Sequence, residues 1–87
     1  MNVIDYLKSR KYSEPSPEQY HDTEAGILDL CWNTTDGAWA ILEVGENSNS
    51  DFSFCASGPD GKIKMQGAAT IENLDVVIDF TTELMKP

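Results

Sequence analysis

Between Tyr12 and Gly61 the sequence contains no lysine or arginine. That same stretch holds Glu14, Glu18, Asp22, Glu24, Asp29, Asp36, Glu43, Glu46, Asp51 and Asp60. Over all 87 residues, 15 acidic side chains stand against 6 basic ones, for a formal net charge of -9. Binding to phosphate rests on Lys and Arg, so direct contact with DNA, RNA or an anionic membrane surface is not expected. No segment approaches the ~20 apolar residues of a membrane span. At the N-terminus Lys8, Arg10 and Lys11 follow the short apolar segment instead of preceding it, the wrong order for a signal peptide. The expected location is the cytoplasm.

Histidine and cysteine are scarce as well. One His and two distant Cys do not make a zinc pattern. The run Asn47-x-Asn49-x-Asp51 has donors of a calcium loop but lacks its turn glycine and closing glutamate. No metal or cofactor is therefore expected. His21 has Asp22 and Glu24 nearby, yet no nucleophile turn surrounds Cys31 or Cys55, and neither cysteine sits where a helix N-terminus would favour a thiolate. No catalytic residue is assigned, and the chain reads as a non-enzyme.

What is present is the patterning of a folded α+β protein. Charged residues make up 24%, near the usual quarter, and the length allows a single domain, 1–87. Asn2 can cap a short helix over about 2–11, with Val3, Ile4 and Leu7 on one face. Ser16-Pro17-Glu18-Gln19 has the form of a capping box with proline at the first helical position, and predicts a second short helix over about 17–25 closed by Gly26. From Gly26 the period becomes two. Leu28, Leu30 and Trp32 alternate with Ile27, Asp29 and Cys31, and Asp36-Gly37 supplies a turn. Hairpins are predicted over about 26–45 and 51–68, joined by a polar loop at 45–50. In the second, Phe52, Phe54, Ile63 and Met65 point inward, and Gly58-Pro59-Asp60-Gly61 makes the turn. The simplest assembly is a four-stranded antiparallel meander. Such a meander separates Cys31 from Cys55 by a whole strand, two steps of about 4.8 Å each, too far for a disulfide. A last helix, about 71–85 and capped by Thr70, packs Ile71, Leu74, Val77, Ile78, Leu84 and Met85 on one sheet face.

Two surfaces are candidates for a partner. Glu72, Asp75, Asp79 and Glu83 recur at spacings that align them along the last helix, with no lysine interleaved, and Val76 and Phe80 lie beside them. An acidic row next to an exposed aromatic suits a basic protein partner, and charge reversal along it is expected to abolish binding without unfolding the domain. The second surface is the other sheet face, where Ile27, Trp39, Ile41 and the cysteines mix with Asp29, Glu43, Asp51, Ser53, Lys62 and Lys64. The N-terminal helix is expected to cover part of it. Left open, that face makes Trp39 an interface anchor ringed by carboxylates. The free edges of the meander allow a monomer or a homodimer, with Lys62 and Lys64 weighing against edge pairing.

In its short length, acidity, α+β element order and lack of a catalytic motif, the chain resembles the small phage-encoded inhibitors of bacterial defence, the anti-CRISPR and anti-restriction proteins. Bacterial toxin-immunity proteins are similar in type. The likeness carries no residue roles. It implies a mechanism in which carboxylates on a rigid scaffold occupy a basic cleft that normally holds nucleic acid, in the host cytoplasm. The alternative is a toxin-immunity protein or secretion chaperone with one cognate partner, held more through apolar contact.

Overall fold

The computed structural model describes residues 2–46 and 51–87. Asn47 and Asn49 of the calcium-like run, and most of the polar loop expected at 45–50, lie outside these described residues. The element order is α1 (Val3–Ser9), β1 (Glu18–Asp22), β2 (Ile27–Asn33), β3 (Trp39–Gly45), β4 (Asp51–Ser57), β5 (Ile63–Thr70), a 3-10 turn (Ile71–Asn73) and α2 (Leu74–Met85). The strands form one antiparallel sheet in the order β1-β2-β3-β4-β5. The α+β class, the meander and the C-terminal helix are as expected; the described residues form a sheet of five strands rather than four.

The added strand corrects the second helix expected over 17–25. Its start carries a helix-like cap pattern, but the chain there is extended and lies against β2, with Gln19 opposite Leu30 and His21 opposite Leu28. The helix-like ending is the β1–β2 turn. The Asp22 side chain accepts from the Ala25 N–H at 3.0 Å, its carbonyl accepts from the Gly26 N–H at 2.9 Å, and Gly26 adopts φ 68°. A carboxylate-capped turn closed by a left-handed glycine is locally the same object as a helix end.

One sheet face is the core side. Leu28, Leu30 and Trp32 of β2, Ala40, Leu42 and Val44 of β3, and Phe52 and Ala56 of β4 are buried there. Full burial of each large side chain contributes about 1.5–3 kcal/mol. The Trp32 indole, also buried, donates its one N–H to the Pro15 carbonyl at 3.1 Å, which ties the α1–β1 connection to the core. Gly67 of β5 lies opposite Phe54, and a Cβ there would sit 3.4 Å from the ring.

Both helices pack on this side. Asn2 caps α1 by accepting from the Asp5 N–H at 2.9 Å, and Ile4 and Leu7 enter the core. In α2 the inward face is Leu74, Ile78 and Met85 together with Thr81 and Thr82. The two threonines are tolerated because their hydroxyls donate to the carbonyls of Val77 and Ile78, at 2.7 and 3.1 Å. Ile71, placed on the last helix by its spacing, belongs to the 3-10 turn but still packs against the core.

Ile63 is a further correction, since it points outward and is 52% exposed. The register between β4 and β5 shifts at Ala56/Ser57, where Ser57 pairs with Ile63 and Ala56 with Met65, leaving Lys64 as an extra residue. A bulge of this kind breaks the alternation on which the inward assignment rested.

Candidate partner-binding surfaces

The acidic row on α2 is not the unneutralised stripe its spacing implied. Arg10, at the end of α1, donates from Nε to Asp75 at 2.8 Å and from a terminal nitrogen to Asp79 at 3.1 Å. The Tyr6 hydroxyl also reaches Asp75, at 2.7 Å. That bond lowers the Asp75 carboxyl below its ordinary range; partial burial opposes the shift and Arg10 adds to it. The same bond, helped by burial, raises the Tyr6 phenol. Glu83 pairs with Lys86 at 2.8 Å. Glu72 stands on the 3-10 turn and has no hydrogen bond or ion pair among the described residues. Beside the row, Val76 and Phe80 are 67% and 54% exposed. Reversing Asp75 would therefore break the joint between the helices as well as change the surface.

The opposite sheet face follows from strand registration. One row runs Tyr20, Asp29, Glu43, Ser53 from β1 to β4, and the next runs Glu18, Cys31, Ile41, Cys55, Gln66 from β1 to β5. Trp39 stands at the start of β3 on the same face, opposite Asn33 and Ser57, and is 38% exposed. The expectation that α1 covers part of this face does not hold. Its apolar side is spent on the core and its C-terminus is fastened to α2, so among the described residues no helix lies over the Trp39 face.

The chemistry of this face is concentrated. Asp29 and Glu43 are directly opposed on neighbouring strands, where like charges repel. Oδ1 of Asp29 is shielded from solvent with no hydrogen-bond partner among the described residues. Tyr20 donates its hydroxyl to Glu18. Glu18 and Tyr20 belong to this surface only because 18–22 is a strand, so the helix reading missed them; the alternation of Glu18, Tyr20 and Asp22 with Gln19 and His21 was the available signal. Burial, followed by the nearby charges of Asp29 and Glu18, raises the Cys31 thiol and keeps it protonated. Both cysteines are free thiols, on strands that flank β3. Among the described residues no group of three His, Cys, Asp or Glu side chains could hold a metal ion, and no helix is long and apolar enough to cross a membrane.

The candidate contact residues thus fall on two opposite sides. Glu72, Asp75, Val76, Asp79, Phe80 and Glu83 are on the α2 side; Asp29, Trp39 and Glu43 are on the open sheet face. A cleft of about 850 Å³ lies at the end of α2 between the two hairpin turns, lined by Pro15, Ala38, Ser57, Leu84 and Met85 among others. The Ser57 hydroxyl there donates to the adjacent Gly58 carbonyl. Compared with models of known protein families, with curated proteins and with solved structures, the chain finds no match.

Proposed function

We propose that this chain is a non-enzymatic acidic protein that binds and inhibits a nucleic-acid-handling bacterial protein, such as a CRISPR or restriction effector, by occupying its basic nucleic-acid-binding surface. The observation that carries the reading is the open sheet face, which holds both Trp39 and, beyond the Ile41 row, the Asp29–Glu43 pair, and which no helix covers among the described residues. A face that carries an exposed aromatic and a separate pair of carboxylates is suited to a Lys/Arg-lined groove. Charge of this density steers association, and carboxylates accept from arginine as phosphates do. The α2 side, with three of its four carboxylates already engaged inside the molecule, is the lesser contact.

A second reading is favoured by a separate feature. Cys31, Ile41 and Cys55 form an uncharged, half-buried band across the middle of the same face. An apolar centre of that kind suits a toxin-immunity protein or secretion chaperone with one cognate partner.

The test is capture of partners from bacterial lysate with the full chain, elution on a salt gradient, and a competition assay on the protein recovered. The inhibitor reading requires that the chain displace nucleic acid from that protein, and that Trp39→Ala and Glu43→Lys each weaken the effect. Binding should also fall steeply with salt. A captured toxin or effector held through high salt, with nucleic acid unaffected, would replace it with the second reading.

A further inference from the structure

Both edges of the sheet present backbone N–H and C=O groups with no neighbouring strand among the described residues. The edges are unequal. β1 is five residues long, follows Pro17, and carries Glu18 and Asp22, all features that blunt an edge. β5 is eight residues long and is the one strand of the five without Asp or Glu, in a chain of net charge -9.

The lysines that weighed against pairing sit at only one end of β5. Lys64 is the bulge residue, and its side chain folds back over its own hairpin: a Cβ at Gly58 would meet Lys64 Cε at 2.6 Å. Beyond it, from Met65 to Thr70, the edge is uncharged, and Gly67, Ala68 and Ala69 are small. Past the far end comes Glu72, the carboxylate of the α2 row that has no partner among the described residues. Lys62 precedes Gly67 by five residues and Glu72 follows it by five.

An edge that is basic at one end and acidic at the other complements a copy of itself in one orientation. We propose that β5 is the docking surface for a second copy of this chain, paired antiparallel about a two-fold axis near Gly67. Lys62 of each copy then approaches Glu72 of the other, twice by symmetry. A parallel pair would set like charges together. The result is a continuous sheet of ten strands, twice the five observed. Because the axis stands perpendicular to the sheet, both Trp39 faces lie on the same side. This pairing uses only the backbone edge and its flanking charges, and is independent of what the Trp39 face binds.

Sedimentation equilibrium on the full chain tests it. The wild type should reach the mass of two chains within a range extending to about 0.5 mM, inside the span of weak specific association. About the proposed axis Gln66 faces Ala68 of the second copy, so Gln66→Glu with Ala68→Glu sets carboxylates directly opposite one another. Dissociation should strengthen by roughly tenfold or more, with the circular dichroism unchanged. Should that pair fail to fold, Lys62→Glu serves instead: alone it should weaken the dimer, and Glu72→Lys in the same chain should restore it. A chain that stays monomeric throughout, or a folded Gln66→Glu/Ala68→Glu variant as dimeric as the wild type, would overturn the assignment to β5. Failure of Glu72→Lys to restore the dimer would overturn the antiparallel arrangement.

Discussion

Arg10 and Asp75, 65 residues apart in sequence, are joined Nε to Oδ1 at 2.8 Å, and through this contact the first helix is fastened to the last. The Arg10 side chain is 14% exposed, and its guanidinium also lies 4.9 Å from the centre of the Tyr12 ring. The two carboxylates it holds are more than half exposed, so solvent screens much of the attraction. Arg10→Ala should lower the unfolding free energy by about 1 kcal/mol, measured by urea denaturation. Arg10→Lys should recover only part of this, since an ammonium cannot bridge two carboxylates with a planar fork.

The same joint sets a dependence on pH at both extremes. Asp75 titrates below its ordinary value of 3.8, chiefly through the Tyr6 hydroxyl, so its contribution is complete above that value and is lost as acid takes the pH through the lowered one. Tyr6 titrates above its ordinary value of 10.0, chiefly through Asp75, so its contribution holds below 10.0 and is lost as alkali takes the pH through the raised value. Tyr6→Phe should flatten both limbs of a plot of urea midpoint against pH. A plot unchanged by the substitution would show that the Tyr6–Asp75 bond does not form in solution.

How far the sequence could be read follows from the range of each contact. Alternation from Leu28 to Trp32 and the Asp36-Gly37 turn made β2–β3 legible, and Gly37 does adopt φ 96°. Free placement of Cys31 and Cys55 on strands either side of β3 followed from the same meander. β1 was not legible because Pro17-Glu18 and Asp22…Gly26 are local signals shared by helices and turns, while the open edge of β2 that draws 18–22 into the sheet is a tertiary fact. The placement of α1 was hidden for another reason. An amphipathic helix fits either face of a sheet, and the contacts that hold α1 on the core side, Ile4 and Leu7 in the core and Arg10 on α2, are made with residues distant in sequence.

Opposed carboxylates on the Trp39 face should make one substitution stabilising. Glu43→Lys turns the cross-strand repulsion with Asp29 into attraction and should raise stability by a few tenths to about 1 kcal/mol, read as a higher melting temperature. The same change should weaken capture of the proposed basic partner. Gain of stability with loss of binding is the signature of charge kept for recognition; loss of both would mean that Glu43 has a structural role.

His21 faces Leu28 across the β1–β2 ladder, and both its ring nitrogens are shielded without a hydrogen-bond partner among the described residues. A polar ring in that position costs more than an apolar one. His21→Leu should stabilise the fold by about 1 kcal/mol in thermal denaturation. A lower melting temperature would indicate that ordered water satisfies the ring.

Burial and the neighbouring carboxylates hold the Cys31 thiol protonated, which sets its reactivity. Alkylation by iodoacetamide at neutral pH should be slower at Cys31 than at an unstructured cysteine, with both sites followed by mass spectrometry. Asp29→Asn should accelerate it by removing one of the charges that oppose the thiolate. An unchanged rate would leave burial and Glu18 as the causes.

The order β1-β2-β3-β4-β5 bears on how the chain reaches this structure. Every strand pairs with its immediate predecessor, so each closure spans a short loop and carries a small entropic cost, the condition under which an antiparallel sheet assembles quickly. Both helices rest on β3, so neither has a complete platform until the middle of the sheet exists. The clasp between Arg10 and Asp75 joins residues 65 apart in sequence, so it is expected to close after the sheet has formed. Its loss should therefore accelerate unfolding while leaving the refolding rate almost unchanged.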